Sequence, residues 1–529
     1  MWNQGRLFAG GIFTAVVLIA GGYLCFYAFQ TPPPPHALMH AEGVVALGFL
    51  ALLLVRSGKY EPVRKYGTAG FEAFRFAIPV AVIVITVALA FAPILRGPFL
   101  YDDYTHITDA SHFTWSLVAQ QFEQVHGRGL FFRPVGFFFY WLNYLWAGAN
   151  PALWHASSIA LHAVCCCLVY ALCREVGLSR QASMAGSLLF ALSGLAAETV
   201  AWIDARFDLM TTALVLASLL CVCRGWLIGA LAFGAAGMLC KESGYCLPLL
   251  IATLALWSAE QRPRIWRAAA LASLMAAMLF AYRWWALGGI GGYSAPAGEP
   301  NIFRFNLLRT MDALLLRQWA ILFFPFNWSA PSSPLLRAGL AAIPFALAAC
   351  AWMAKGSGRY LAGCTIFILA AGLPVQHLLL IDPALGGSRQ LYLGSVGWAL
   401  LGAVVLDAIP GPRRIALACA FLALAVCILE HNLTVWRDTA ELARSVCVAF
   451  GKVAAETQGP IVVRGLPAVR MGTVFLNNGF PQCVEMNAGV PAGRIQVGGS
   501  GAAESDAHEF VWNEADGRIE EAARPQDRR

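Results

Sequence analysis

Charge is what this chain has least of. Asp, Glu, Lys and Arg make up 13% of its 529 residues, against roughly 25% in a soluble domain. The deficit excludes an ordinary soluble globule. Hydrophobic residues account for 59% of the chain, in blocks of roughly 17–25, the length that crosses a hydrocarbon layer as a helix. Lipid offers the backbone no hydrogen-bond partners, so such blocks must be helical. A continuous basic stripe is also missing. The net charge of +7 is spread over short loops and no nucleic-acid-binding motif accompanies it, which excludes nucleic acid as a partner and fits loops facing membrane lipids. The fifteen cysteines lack zinc spacing, and most, such as Cys165, Cys166 and Cys167, lie inside apolar blocks. They read as small buried hydrophobes, with no metal site and no disulfide framework. No internal repeat is visible. No small-residue cleavage site follows the first apolar block, which therefore reads as an uncleaved anchor.

What is present is a series of spans. They are expected at Leu7–Phe29, Ala37–Val55, Phe76–Leu95, Leu153–Cys173, Ser183–Val200, Leu209–Cys223, Trp226–Cys240, Tyr245–Trp257, Ala268–Leu287, Gly339–Ala354, Leu361–Leu378, Leu393–Ile409 and Ile415–Leu429. One set of alternate loops holds Arg56, Lys59, Arg64 and Lys65, then Arg174 and Arg180, Arg262, Arg264 and Arg267, Lys355 and Arg359, and Arg413 and Arg414. The positive-inside bias places these loops in the cytoplasm and the C-terminus outside. Leu307–Phe326 is interrupted by Arg309, Asp312 and Arg317, so it is expected to lie in the interface. Residues 1–70 form a two-span appendage with a stiff Pro32–Pro35 connector, 71–436 the membrane module, 437–513 a small soluble extracytoplasmic domain and 514–529 a charged, disordered tail. In the soluble part, Arg437–Thr457 has helical periodicity, and Ile461–Val463, Thr473–Leu476 and Phe510–Trp512 read as strands.

Polar chemistry concentrates in the outer loops. Tyr101-Asp102-Asp103-Tyr104 sets two carboxylates side by side. Their repulsion raises at least one pKa or invites a cation, and a raised carboxylate can take a proton from a hydroxyl. An acidic helix cap is the plainer alternative. Arg133 sits among aromatics, suited to a phosphate or a sugar face. Asp204 and Asp208 flank Arg206, either as a local salt bridge or as a group orienting a polar acceptor with Trp202. Lys241 and Glu242 interrupt an apolar stretch, as a plain hairpin turn or as a site, with Lys241 near a lipid phosphate. Arg283 and Arg389, the latter followed by Tyr392, end spans on the same side. Singly each cation reads as a snorkelling anchor, but Arg133, Lys241, Arg283 and Arg389 all fall on the face where the inside-positive bias does not want them. Cations converging at headgroup depth are what a lipid-phosphate leaving group requires. His155 and His162 share a helix face and read as core hydrogen-bonding histidines.

Taken in order, Tyr101–Tyr104, Phe132-Arg133-Pro134, Trp154-His155, Ala201-Trp202-Ile203 with Arg206 and Asp208, Lys241-Glu242, Arg283-Trp284, and Arg389 with Tyr392 resemble the GT-C superfamily of membrane glycosyltransferases. The similarity is greatest to the protein O-mannosyltransferases and their transmembrane, tetratricopeptide-repeat-bearing relatives. The resemblance covers about Phe76 to Asp438. It implies an all-α polytopic bundle of about eleven spans, here with two N-terminal spans added and a small α+β extracytoplasmic C-terminal part. It implies a hexosyltransferase moving a sugar, mannose included, from a polyprenyl-phosphate carrier to a hydroxyl acceptor with inversion. The implied roles are Asp102 and Asp103 as the catalytic acids, with Asp102 the base. Lys241, Arg283, Arg389 and Tyr392 would hold the donor phosphate and lipid, and Arg133, Trp202, Asp204, Arg206, Asp208 and Glu242 the acceptor or sugar. No cofactor is assigned; a divalent cation occurs in some branches of the superfamily, and no metal ligands are assigned here. The tetratricopeptide array is absent from the soluble part, so the acceptor is a protein, a glycan or a lipid. A transporter or lipid flippase is the alternative class. The absence of a retention signal favours a bacterial inner membrane over the endoplasmic reticulum.

Overall fold

The computed structural model describes residues 69–123, 131–292, 306–353, 358–378, 381, 383–409, 411–498 and 507–522. The expected spans Leu7–Phe29 and Ala37–Val55, the proline connector and the last seven residues lie outside that range.

The described chain is a helical bundle with a small sheet at its C-terminal end. Its helices are α1 (Ala69–Phe91), α2 (Asp102–Ser111), α3 (Trp115–Gln120), α4 (Pro134–Ala147), α5 (Pro151–Glu175), α6 (Arg180–Ala191), α7 (Ala196–Ala201), α8 (Arg206–Arg224), α9 (Leu227–Cys240), α10 (Leu247–Trp257), α11 (Arg262–Leu287), α12 (Leu307–Asp312), α13 (Gln318–Phe323), α14 (Pro334–Met353), α15 (Gly358–Gly372), α16 (Tyr392–Asp407), α17 (Gly411–Glu456) and α18 (Phe480–Ala488). Among the described residues, six helical stretches are long and apolar enough to cross a membrane: Pro151–Glu175, Ile203–Arg224, Arg262–Leu287, Gly358–Gln376, Ser388–Asp407 and Gly411–Glu456. Shorter apolar stretches cover Ile78–Ile94, Leu227–Cys240 and Glu242–Trp257. The protein is a multi-pass membrane protein. The central helices α5, α8 and α16 pack against α6, α9 and α15.

Helix starts follow local chemistry. Asn150 caps α5 by accepting a hydrogen bond from the Ala152 amide, and Pro151 takes the first helical position, where its missing N–H does no harm. Ser179 caps α6 in the same way.

Three expectations need correction. The single span Ser183–Val200 is two helices, α6 and α7, broken at Ser193–Leu195. A Cβ on Gly194 would stand 2.3 Å from the Pro325 carbonyl oxygen, so only glycine admits this crossing. The Gly194 carbonyl freed by the break accepts from Asn432 Nδ2 at 3.0 Å, which is how irregular backbone survives away from water. Leu307–Phe326 is not a helix lying on the surface. It turns through a π-helical segment at Ala313–Arg317, and its second half, Trp319–Phe323, is buried. The boundary drawn at 436 falls inside α17, whose 46 residues extend about 69 Å at 1.5 Å per residue, enough to span the bilayer and enter the C-terminal part without a break.

That part holds β1 (Ile461–Arg464), β2 (Val469–Arg470), β3 (Thr473–Val474), β4 (Ile495–Val497), β5 (His508–Asn513) and β6 (Arg518–Glu521). The four-stranded sheet has the order β4-β1-β5-β6, with β1 parallel to both β4 and β5 and β6 antiparallel to β5. Strand β6 lies where a disordered tail was expected. A disulfide joins Cys447 on α17 to Cys483 on α18, against the expectation of none; neither cysteine belongs to a recognisable spacing motif.

Candidate active site

The segment after α1 reaches Tyr101 in an unusual backbone state, φ 55° and ψ −118°. For a bulky residue this costs of order 1–3 kcal/mol, and such strain gathers at functional sites. The strained turn starts α2 with Asp102 and Asp103 in its first turn, where the helix dipole favours carboxylates.

The two acids then diverge. Asp103 is buried and accepts hydrogen bonds from the backbone amides of Leu100 at 3.0 Å and Asp204 at 2.8 Å. It pins the start of α2 to the turn before α8. Asp102 keeps partial exposure and accepts a hydrogen bond from the side-chain amide of Asn478. Burial, then the negative charge of Asp204, pushes Asp102 up to about 6. The same two causes hold Asp103 well above the usual carboxylate range. One turn along α2, His106 Nδ1 lies 2.5 Å from Asp204 Oδ1, and the Tyr140 hydroxyl donates to the same oxygen at 3.2 Å. Burial pulls His106 down, but the charge and hydrogen bond of Asp204 outweigh it and raise His106 to about 9.

The expected cations all have carboxylate partners. Arg133 donates through Nε and Nη2 to Glu242 at 3.0 and 2.6 Å and lies over the rings of Phe131 and Phe207. Arg283 reaches the other Glu242 oxygen at 3.4 Å and the Ile290 carbonyl at 3.0 Å. Lys241 Nζ is 2.5 Å from Asp208 Oδ2. Arg389 donates to Glu198 at 2.5 Å, and the Arg389 amide and Ser388 hydroxyl bond the second oxygen of Glu198. These pairs are neighbours: the charges of Arg133 and Arg389 act on both Asp204 and Lys241. Segments more than a hundred residues apart thus meet at one end of the bundle.

The cations differ in accessibility. Side chains of Lys241 and Arg283 are each 7% exposed, while Arg133 is 18% and Arg389 24% exposed. Arg389 uses only Nη1 of its guanidinium among the described residues, leaving donors of its planar fork available.

Three assigned residues stand elsewhere than expected. Tyr392 is buried between helices, its hydroxyl 2.6 Å from His162 Nδ1, and does not face the charged cluster. Its place at the start of α16 turns its ring into the core. Trp202 is buried beneath Arg389, whose guanidinium carbon is 4.6 Å from the ring, and stacks on Trp436. It supports the site from below. Arg206 is also buried, between Tyr140 and Trp154, donating to the Trp154 carbonyl and Ser158 hydroxyl. The local salt bridge expected among Asp204, Arg206 and Asp208 does not form, because residues two apart at a helix start face different ways; Asp204 turns to His106 and Asp208 to Lys241. His162 also contacts the Ala191 carbonyl, a core histidine as expected, and His155 is buried on the same helix.

Glu198, His106, Tyr140 and Asn478 were not singled out from the sequence. Glu198 carried a signal, an acid inside an apolar block, which is a site candidate by default. His106 lies one helical turn from Asp102. Nothing local marked Asn478. Among the described residues no three His, Cys, Asp or Glu side chains converge as a metal site.

No family model matches the chain. Protein O-mannosyl-transferase TMTC1 of Mus musculus is 28% identical over 187 residues, 30% of this chain and 20% of that protein. Protein O-mannosyl-transferase Tmtc1 of Drosophila melanogaster is 32% identical over 125 residues, 22% of this chain and 15% of that protein. The match therefore spans a fifth or less of these curated relatives. Among solved structures, ArnT from Cupriavidus metallidurans bound to undecaprenyl phosphate aligns with a TM-score of 0.42 at 13% identity, covering 82% of this chain and 93% of that one. The archaeal oligosaccharyltransferase AglB from Archaeoglobus fulgidus, in complex with an inhibitory peptide and a dolichol-phosphate, aligns with a TM-score of 0.40 at 10% identity, covering 80% and 65%. Over part of its length, the chain is similar to protein O-mannosyl-transferases of the TMTC1 type.

Proposed function

We propose that this protein is a membrane glycosyltransferase that moves a hexose, mannose being suggested by the partial matches, from a polyprenyl-phosphate carrier to a hydroxyl acceptor. The observation that carries the reading is the gathering of Asp102, with its raised pKa, and the accessible Arg389 and Arg133 around one carboxylate cluster at a single end of the bundle. Asp102 takes the proton of the acceptor hydroxyl. The hydroxyl oxygen attacks the anomeric carbon as the bond to the phosphate oxygen breaks, the electron pair leaves with the polyprenyl phosphate, and the centre inverts. A carboxylate near pH 6 suits this task better than one at 3.8, because Brønsted behaviour favours a base whose pKa lies near the working pH. Asp103, tied to two backbone amides, orients the turn. Arg389 and Arg133 take the leaving phosphate. Lys241 and Arg283 are enclosed by their partners and keep Asp208 and Glu242 in place.

The disulfide in the C-terminal part supports an oxidising compartment for that end, a periplasm or the lumen of the endoplasmic reticulum. The positive-inside bias points the same way. The test is transfer of radiolabelled mannose from polyprenyl-phosphate mannose in detergent extracts of membranes that express the full chain. Incorporation should depend on the protein and be lost in Asp102→Asn. Label that never leaves the carrier, or full transfer by that variant, would overturn the reading.

A further inference from the structure

The C-terminal part is not an appendage hanging from the last span. Its α18 lies against α2, the helix that carries both acids. Gly479, at φ +74°, is where the two backbones meet. A Cβ there would stand 2.2 Å from the Tyr101 carbonyl oxygen and 3.3 Å from Tyr104 Cβ, so the approach requires glycine. The next residue, Phe480, is fully buried against Phe450 of α17, and the Cys447–Cys483 disulfide ties α18 to the same long helix. Asn327 donates to the Met471 carbonyl, joining an outer loop to the β2–β3 turn. The residue delivered by this docking is Asn478, and its amide donates to Asp102 Oδ1.

We infer that Asn478 is a positioning residue: the C-terminal unit completes the site by holding the Asp102 carboxylate in place and in its ionised form through that single amide. The inference rests on Asp102 being the base. The amide fixes one oxygen of Asp102, leaving the other to meet the acceptor. It also favours the charged form, as a hydrogen bond to a carboxylate does. Of the other groups acting on Asp102, Asp204 disfavours its charge, and His106 and Arg389 favour it; Asp102 in turn raises Asp103. Asn478 comes from the C-terminal unit, whereas those residues belong to the membrane module. The site is thereby incomplete without the C-terminal unit.

The test is the pH profile of kcat/KM for the full chain, wild type against Asn478→Leu and the isosteric Asn478→Asp. Loss of the donor should move the acid limb upward by about one pH unit in Asn478→Leu, since a hydrogen bond to a charged group is worth roughly that much. Asn478→Asp places a negative charge there and should move it further. A second readout does not need activity: carbodiimide labelling of protonated Asp102, read by mass spectrometry as a function of pH, should show the same upward midpoint shift. Activity falling equally at all pH values, with limb and labelling midpoint unmoved, would reduce Asn478 to a structural contact and sink the inference. If instead Asp102→Asn transfers sugar normally, the base assignment fails, while an upward labelling shift in Asn478→Leu would still establish the contact.

Discussion

The two ends of the bundle treat charge in opposite ways. At the end that carries Arg174, Arg264 and Arg414, most charges cap helices or lie in the open, although Asp407 is 7% exposed and pairs with Arg414. Arg414 bonds the Asp407 carbonyl seven residues back and the Ser179 hydroxyl, Arg264 bonds the Cys223 carbonyl and Gln261, and Arg224 is 59% exposed beside Glu175. At the other end, Lys241, Arg283, Asp103, Asp208 and Glu198 are buried, and their partners come from distant segments. Exposed cations at a membrane face need no explanation beyond anchoring and orientation. Buried charges cost several kcal/mol each unless paired, so a cluster of them at one end makes that end the candidate site. The same residue types thus carry different information according to burial alone.

That contrast can be broken or sharpened by experiment. Asp102→Asn should lower turnover by roughly 10²–10⁴-fold, the usual loss of general-base help. It should also raise thermal stability at neutral pH by about 1–3 kcal/mol, because a carboxylate raised to about 6 opposes folding above that pH; a thermal melt of the purified variant checks this. The double variant Glu198→Gln/Arg389→Gln removes a buried pair without leaving one charge alone. It should keep the fold and raise the donor KM by about tenfold, the loss of one charge-assisted contact, with the acceptor KM little changed. Arg389→Ala alone should destabilise by about 3–5 kcal/mol, because Glu198 is left buried and unpaired. Cys447→Ser should cost about 2–4 kcal/mol of stability in the C-terminal unit, seen as faster proteolysis after α17, with the bundle intact. The acid limb of wild-type kcat/KM should lie near pH 6: activity needs Asp102 ionised, so it falls as pH drops through that value. Arg224→Gln, at the other end, should change stability by less than about 0.5 kcal/mol and leave transfer untouched. A large effect there would erase the distinction between the ends.

Much of the fold is legible in composition. Among the described residues, apolar blocks located most of the long helices to within a few residues, since lipid permits little else; α17 runs 27 residues past its expected end at Leu429. The exceptions are informative. Ser183–Val200 is apolar enough to read as one helix, yet it breaks at Gly194 because Asn432 and Pro325, more than a hundred residues away, occupy the space and satisfy the backbone. Leu307–Phe326 reads as interfacial from its charges, yet Trp319–Phe323 is enclosed by the bundle. At the candidate site, the adjacent acids and the cations on the unfavoured side could be picked out singly. Their pairing could not. Glu242 serves both Arg133 and Arg283, and Glu198 serves Arg389, across separations that no local pattern reports.

By itself, the sequence determined that the chain must be a bundle of membrane helices and which residue types are out of place in it. Hydrophobic burial and backbone hydrogen bonding act locally along each block, so composition is enough. Only the tertiary structure decided which carboxylate meets which cation, that Asp102 and Asp103 have different surroundings, and that Asn478 reaches the first of them. Those outcomes depend on loops and a C-terminal unit brought together by close approach at single points such as Gly479, where the absence of one methyl group decides whether two segments touch.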